Sequence, residues 1–242
     1  MTPSDELFDQ SEVEDVLQVP LDAPLAMRMR PASINEIVGQ EHLLGPGKLL
    51  RRTIESDRLS SLILYGPPGT GKTTLALVIA RMTAARYVQI NAVLSNVAEI
   101  RKIQEEARKL LRFSKRKTVL FIDEIHRFNK AQQDILMPDV ETGVIILIGA
   151  TTQNPSFAIR GPLLSRSIVC ELKPHEESHL TRIMERAVLD QDRGLGKLKL
   201  EIDPAALAHI AKQASGDARR ALNALEVGAV TTLPDALGVV HF

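Results

Sequence analysis

The sequence has few residues for thiol chemistry, because its 242 residues include one cysteine, and it has no tryptophan. A single cysteine cannot form an internal disulfide, and no cysteine pair has the spacing of a zinc site, so an intracellular protein is expected. No apolar run approaches the ~20 residues that span a bilayer. Acidic residues occupy the N-terminus, where a secretory signal would be positively charged. These absences predict a protein that is neither embedded in a membrane nor exported.

The sequence also has no net charge, since 30 Lys and Arg balance 30 Asp and Glu. Bulk electrostatics therefore does not predict a protein that coats nucleic acid. The balance hides an asymmetry: residues 1–27 carry seven acidic side chains and no Lys or Arg, which leaves residues 28–242 with a net charge of +7. Residues 101–117 hold eight basic residues against two acidic ones. This segment is either a solvated helix or a sequence-independent contact to a phosphate backbone.

Proline positions and hydrophobic patterns divide the chain into four predicted segments. Residues 1–24 are acidic and predicted to be a disordered tail. Leu7 and Phe8 are either part of a featureless tail, which we favour, or a short linear motif for a sliding clamp. Five apolar runs, at residues 62–65, 87–90, 118–122, 144–149 and 168–172, alternate with helical patterns within residues 25–173. Such unalternated runs predict a five-stranded parallel sheet covered on both faces. Residues 174–232 read as a small helical domain, and residues 233–242 as a C-terminal tail.

A phosphate-binding loop directly follows the first predicted strand and precedes a predicted helix. It matches the pattern G-x-x-x-x-G-K-[ST] and consists of Gly66, Pro67, Pro68, Gly69, Thr70, Gly71, Lys72 and Thr73, with Thr74 next to it. In this pattern the glycines let backbone N–H groups surround a phosphate at the helix N-terminus. Lys72 would reach the β- and γ-phosphates, and the Thr73 hydroxyl would bind Mg²⁺. Placed between a strand and a helix, the loop predicts binding of a nucleoside triphosphate.

Two acidic residues end the third predicted strand, about 50 residues after this loop. Asp123 is placed to hold Mg²⁺, and Glu124 is placed to orient and deprotonate an attacking water. An acidic pair in this position alone is usually a solvated turn; the phosphate loop upstream favours the catalytic interpretation. The intervening strand predicts that the two motif strands are not neighbours, as in NTPases that hydrolyse through a glutamate.

Two arginines are candidates for stabilising charge on a γ-phosphate in the transition state. Arg166 lies just before the fifth strand, and Arg219 lies near the start of a predicted helix. From position alone, each could equally be a solvated surface charge.

Two motifs suggest other chemistry. His175-Glu176-Glu177-Ser178-His179 matches the H-E-x-x-H pattern of zinc proteases, but His175 follows a proline and belongs at a helix boundary rather than inside a helix. Residues 123–126 match the D-E-x-H box of helicases. The chain has no Q-x-x-G-R-x-x-R segment and is too short for two motor domains. We therefore expect neither a zinc protease nor a helicase of that type.

Five blocks of the sequence together resemble AAA+ ATPases of the clamp-loader clade. Within that clade they resemble the family of replication-associated recombination protein A, whose eukaryotic relative is the Werner-helicase-interacting ATPase. The blocks are residues 24–31, 38–44, 121–130, 149–157 and 216–223. The resemblance runs from about residue 24 to residue 230. It implies an α/β fold of the P-loop NTPase type, with a five-stranded parallel sheet and a small α-helical lid at residues 174–232.

The resemblance also implies roles for individual residues, with ATP and Mg²⁺ as cofactors. Thr152 would be the polar sensor of the γ-phosphate, with Asn154 as the alternative. Arg219 would be the lid sensor in its own subunit, and Arg166 the arginine finger that reaches a neighbouring subunit's ATP. The adenine pocket would be lined by Ile37, Val38, Gly39 and Gln40.

The family implies an activity and partners as well. We expect a bacterial, cytoplasmic, nucleoid-associated and DNA-stimulated ATPase that maintains replication forks and acts in recombination. Partners would be single-stranded or forked DNA, single-strand binding protein or a sliding clamp, and further copies of the chain. Family members continue for roughly as long again, so the sequence predicts a chain truncated after the lid. The alternatives are a clamp-loader or Holliday-junction motor subunit, and a nucleotide-binding fragment without turnover.

Overall fold

A computed structural model of the chain describes residue 20 and residues 22–242. Most of the predicted acidic tail, including Leu7 and Phe8, lies outside the described residues. None of the helices in the described part of the chain is long and apolar enough to cross a membrane.

The described residues form seven strands and eleven α-helices, with short 3-10 turns at Ile34–Glu36 and Ile125–Arg127. The strands are β1 (Ser61–Tyr65), β2 (Arg86–Asn91), β3 (Thr118–Asp123), β4 (Ile145–Thr151), β5 (Ser167–Glu171), β6 (Leu200–Glu201) and β7 (Val240–His241). The first eight helices are α1 (Leu25–Arg28), α2 (Glu41–Leu44), α3 (Leu49–Glu55), α4 (Lys72–Met82), α5 (Val97–Ser114), α6 (Lys130–Glu141), α7 (Pro155–Ala158) and α8 (Gly161–Leu164). The last three are α9 (Glu177–Leu189), α10 (Pro204–Ala214) and α11 (Ala218–Thr231).

Strands β1 to β5 form one parallel sheet in the order β2-β3-β4-β1-β5. The five predicted strands are confirmed, each within two residues of its expected ends. The two motif strands, β1 and β3, are separated as the sequence predicts, and the strand between them is β4. Because all five strands run the same way, their carboxyl ends share one edge, where loops can converge on a ligand.

Helices cover both faces of this sheet. On one face Leu62 and Leu64 pack with Leu75 and Ile79 of α4. On the other, Ile63 belongs to a second cluster with residues of α5 and α6. Adjacent residues of β1 are therefore buried on opposite faces, which explains why the strands read as continuous apolar runs rather than alternating ones.

A third hydrophobic cluster joins α9, α10 and α11, and α1 belongs to it too. The backbone N–H of Leu25 donates to the Glu226 carboxylate at 2.9 Å, and Arg28 pairs with the same carboxylate at 3.2 Å. The start of the predicted sheet domain therefore packs on the helical lid, a placement that the boundary expected at residue 173 does not capture.

The end of the chain also contributes to the lid. Strand β7 pairs in parallel with β6, and the Asp203 N–H donates to the Phe242 carbonyl at 2.9 Å. Asp203 caps α10 by accepting a hydrogen bond from the Ala205 N–H, and Pro204 is the first residue of that helix. Part of the segment expected to be a tail is thus paired with the loop between α9 and α10.

Candidate functional site

The phosphate loop lies at the carboxyl edge of the sheet, between β1 and α4. Gly69 and Gly71 have φ values of +71° and +98°, conformations that disfavour other residues. Gly66 is needed for a different reason, because a Cβ there would collide with the Leu172 carbonyl of the strand β5 exit. The loop therefore turns tightly and delivers its backbone N–H groups to the N-terminus of α4.

Lys72 begins α4, and its side chain folds back into the loop. Its Nζ donates to the carbonyls of Gly66 at 2.7 Å and Pro67 at 2.8 Å. Burial lowers the pKa of Lys72, an effect that the nearby Glu124 and Asp123 carboxylates oppose. The ammonium group is thus anchored beside the place where the loop would hold a phosphate.

The acidic pair ends β3 on the same edge. The Asp123 carboxylate accepts a hydrogen bond from the Glu124 N–H at 3.1 Å. Glu124 has a φ of +54°, an unusual value for a residue other than glycine, and it begins the 3-10 turn Ile125–Arg127. This turn directs the Glu124 carboxylate toward His126, whose Nδ1 lies 3.1 Å from Glu124 Oε2.

A cavity of about 540 Å³ joins the loop, the acidic pair and the lid. Its volume falls in the range of small-ligand sites, about 300–1,000 Å³. Of the predicted site residues, those that line it are Ile37, Val38, Pro68, Gly69, Thr70, Gly71, Lys72, Thr73, Thr74, Asp123, Glu124, Thr152 and Arg219. One cavity therefore brings together thirteen residues from distant parts of the chain.

Other predicted residues lie outside this lining. Gly66 and Pro67 contribute only carbonyl groups, which Lys72 uses. Gly39 and Gln40, predicted for the adenine pocket, also lie outside it. The Gln40 side-chain amide donates to the Lys173 carbonyl at 2.9 Å, and its oxygen accepts from the Lys173 N–H at 3.1 Å. Gln40 therefore ties the segment that carries Ile37 and Val38 to the chain entering the lid.

The two candidate sensors are placed differently. Thr152 follows β4 directly and lines the cavity. Asn154 instead caps α7, where its side chain accepts from the Ser156 N–H at 3.0 Å. Thr152 therefore lines the same cavity as the phosphate loop, whereas the Asn154 side chain is used at the start of α7.

Arg166 points away from the cavity of its own chain. Its guanidinium pairs with Glu141 of α6 at 2.7 Å and donates to the Pro162 carbonyl at 3.0 Å. Both charged side chains are partly exposed, with relative accessibilities of 41% and 44%. Arg166 is not among the residues that line the cavity of its own chain.

Arg219 reaches the cavity because the lid contacts the phosphate loop. The Ala218 N–H donates to the Gly69 carbonyl at 3.3 Å. A Cβ on Gly69 would run into the Asp217 carboxylate, which itself caps α11 by accepting from the Arg219 and Arg220 N–H groups. The second close contact of a loop glycine, after that of Gly66 with Leu172, is therefore with the lid.

Sequence reasoning missed several residues of the cavity wall, of which Arg30 is the most important. Burial and the neighbouring Arg219 lower the pKa of Arg30, and Asp123 opposes this shift. The cavity lining holds four basic side chains, Arg30, Lys72, Arg186 and Arg219, and three carboxylates, Glu36, Asp123 and Glu124. Arg186 and Glu36 pair with each other at 3.7 Å. The available signal was the block at residues 24–31, which contains Arg30 but gave no reason to assign it a role.

The cavity suits a magnesium nucleotide. Thr73 and Asp123 both line it, and Mg²⁺ is typically bound by one or two carboxylates together with phosphates and water. Arg30, Lys72 and Arg219 place positive charge in the cavity, which favours a ligand with phosphate groups. Ile37 and Val38 add apolar residues to the cavity lining.

Comparisons with known proteins agree with this geometry. A family model described as the Holliday junction DNA helicase RuvB P-loop domain matches residues 29–167. Over 204 residues the chain is 52% identical to replication-associated recombination protein A of Coxiella burnetii, which covers 84% of this chain and 46% of that protein. Over 209 residues it is 45% identical to ATPase WRNIP1 of Dictyostelium discoideum, covering 85% and 23% respectively. The chain spans less than half the length of these curated relatives.

A solved structure gives the same picture. The Thermotoga maritima RuvB Holliday junction branch migration motor is 33% identical, with a TM-score of 0.65 over 82% of this chain and 64% of that chain. This similarity therefore covers more of the chain than residues 29–167, which end at the first residue of β5.

Proposed function

This chain belongs to the family of the RuvB P-loop domain, and we propose that it is the ATPase core of a DNA-linked AAA+ protein. In this proposal it hydrolyses ATP at interfaces between subunits and acts in replication-fork maintenance and recombination. Its AAA+ fold and its resemblance to replication-associated recombination protein A are confirmed. The activity, substrates and partners of the whole protein are inferences from that membership.

One observation carries the proposal: the phosphate loop, the acidic pair and the lid arginine converge in a single cavity. Taken alone, the acidic pair could be a solvated turn and the lid arginine a solvated surface charge. A P-loop with a carboxylate for the metal, a carboxylate for water and a cation for developing charge is the combination that phosphoryl transfer to water requires.

Each group has a definite task in this reaction. Backbone N–H groups of the loop and Lys72 would bind the phosphates, and Arg30 would add a second cation from the N-terminal segment. Mg²⁺, held by Thr73 and Asp123, would neutralise charge on the β- and γ-phosphates. Glu124 would accept the proton of the attacking water. Thr152 and Arg219 would contact the γ-phosphate, which makes the lid sensitive to hydrolysis.

The position of Arg166 supports hydrolysis between subunits. Its guanidinium pairs with Glu141 and does not line the cavity of its own chain, which favours a target in a neighbouring subunit. An arginine finger supplied by a neighbour raises turnover by about 10³- to 10⁵-fold in other NTPases. We therefore expect turnover to depend on assembly, and a chain that stays monomeric to bind ATP with little hydrolysis.

Helix α5 and the residues after it supply the proposed DNA contact. Two of the eight basic residues are bound to groups outside this segment: Arg108 pairs with Asp139, and Arg116 donates to the Ala84 carbonyl. Lys102 also pairs with Glu106, one turn later on the same helix, at 4.0 Å. The remaining six are exposed, and we call them the basic surface: Arg101, Lys102, Lys109, Arg112, Lys115 and Lys117. Phosphate contacts of this kind are independent of sequence and weaken with salt. Single-stranded or forked DNA, within the bacterial cytoplasm and nucleoid, is the expected partner.

A clamp-loader or Holliday-junction motor subunit would share every nucleotide residue. The relatives favour the first proposal, because identity to replication-associated recombination protein A is 52% and identity to the RuvB motor is 33%. Single-strand binding protein and a sliding clamp are further proposed partners of the whole protein.

The testing experiment measures ATPase rate against protein concentration, with and without forked DNA. The proposal predicts a rate per subunit that rises with concentration and rises further with DNA. A rate that does not depend on concentration, from a chain that light scattering shows to be monomeric, would contradict hydrolysis between subunits.

A second experiment tests the proposed DNA contact. Alanine in place of Arg112, Lys115 and Lys117 should weaken DNA binding and flatten its salt dependence. Alanine in place of the exposed Lys197, Lys199 and Lys212 is the charge-matched control.

A further inference from the structure

We propose that His126 is a positioning residue, which fixes the Glu124 carboxylate from the carboxyl end of β4 through Thr151. This inference rests on the proposed function, since it takes Glu124 as the group that activates water. The sequence suggested only a superficial match to a helicase box at this histidine.

The geometry places one nitrogen between two oxygens. His126 Nδ1 lies 3.1 Å from Glu124 Oε2 and 3.0 Å from Thr151 Oγ1. The His126 side chain is 7% exposed, whereas that of Glu124 is 36% exposed. The histidine is therefore fixed by its surroundings, and the carboxylate is the more mobile member of the pair.

Thr151 is a rigid anchor for this arrangement. It is fully buried at the last position of β4, and its Oγ1 accepts from the Gln153 N–H at 3.0 Å. The next residue, Thr152, lines the cavity. A single stretch of backbone thus carries both the anchor of the histidine and the side chain proposed to meet the γ-phosphate.

The hydrogen bonds favour one form of the imidazole. Only a proton on Nδ1 can be donated to the Glu124 carboxylate, and the same N–H can be shared with Thr151 Oγ1. With the proton on Nε2, two bare lone pairs, on Nδ1 and on the carboxylate oxygen, would face each other at 3.1 Å. We therefore assign the proton to Nδ1.

Fixing the carboxylate matters because Glu124 lies at a strained turn. Its backbone φ of +54° costs free energy that the surrounding structure must offset. A general base must also stay within about 2.6–3.2 Å of the water it deprotonates. With one carboxylate oxygen bound to His126, the other oxygen remains available in a defined direction.

The test compares three substitutions at His126. His126→Leu removes the donor and keeps the bulk, and it should lower kcat about 10- to 100-fold with little change in ATP affinity. His126→Asn places an amide N–H near the position of Nδ1 and should restore most of the rate. His126→Gln, whose amide reaches the position of Nε2, should not. The exposed His209→Leu on α10 is the matched control.

Two readouts keep the outcome decisive. Equal loss in the Leu and Asn variants, or a change in KM alone, would overturn the positioning role. Independently of turnover, the ¹⁵N chemical shifts of His126 should show a proton on Nδ1 at pH 8, and a proton on Nε2 would refute the proposal. Glu124→Gln separates the two hypotheses: if it leaves turnover intact, the proposed function fails, and if it abolishes turnover while His126→Leu does not, only this inference fails.

Discussion

Glu141→Gln tests whether an ion pair within the chain restrains the proposed arginine finger. In the proposal, Arg166 must leave Glu141 before it can reach ATP in a neighbouring subunit. Breaking the ion pair therefore reduces the net free energy that the contact between Arg166 and that ATP can contribute. The substitution keeps the size and a hydrogen-bonding group of the side chain and removes its charge.

The structure sets the size of the effect. The two charges lie 2.7 Å apart, but both side chains are about two-fifths exposed. Exposed pairs of this kind contribute about 0.2–1 kcal/mol, because water and salt screen them. If Glu141→Gln removes all of this free energy, the ratio of unpaired to paired Arg166 side chains rises by about 1.4- to 5-fold.

The assay is the steady-state ATPase rate at a fixed protein concentration in low salt. Asp134→Asn provides a matched control, since Asp134 lies on the same helix α6 and pairs with Arg160 at 3.0 Å, an ion pair of similar exposure. Turnover should rise in the Glu141 variant, stay unchanged in the control, and the difference should shrink as salt is added.

The reasoning fails if Glu141→Gln lowers turnover. That result would mean that Glu141 aims the guanidinium at its target instead of retaining it. An unchanged rate together with an unchanged salt dependence would show that the pair does not limit the finger.

Three further predictions concern single groups. Lys72→Ala should weaken ATP binding about 10- to 100-fold in a fluorescence titration, and the exposed Lys109→Ala should not. Burial lowers the pKa of His175 below 6.5, so the unfolded chain binds a proton at this residue more readily than the folded chain does. The free energy of unfolding should therefore fall as the pH drops through 6.5, and it should fall less in His175→Leu. Asp139 is 2% exposed, and Arg108→Ala removes the guanidinium that pairs with its carboxylate at 2.6 Å. The free energy of unfolding, measured by urea denaturation, should fall by about 1–3 kcal/mol, and by at most about 0.5 kcal/mol in the control Lys109→Ala.

Much of the fold was predictable because its signals are local. Strands buried on both faces must be continuously apolar, and the glycines of the phosphate loop are required by its φ values and close contacts. The apolar strands and the loop glycines can each be predicted from a short stretch of sequence, without knowledge of distant residues. The cavity members from loop and strand, such as Lys72 and Asp123, followed from the same local patterns.

Contacts between distant segments could not be predicted in this way. Arg30 enters the cavity because α1 packs on the lid, and Gln40 is drawn to Lys173, 133 residues later. The direction of Arg166 depends on where α6 places Glu141. None of these residues stands in a pattern that reveals its partner, since each interaction is decided by packing between elements that are remote in sequence.

The role of Glu124 is the most direct test of the whole account, because hydrolysis at this cavity depends on it. Glu124→Gln keeps the shape of the side chain and removes its ability to accept a proton. ATP affinity should remain close to that of the parent chain, and turnover should fall by at least about 10²-fold at the same protein concentration. Turnover that persists in this variant would contradict the assignment of water activation to this carboxylate, and with it the mechanism proposed for this cavity.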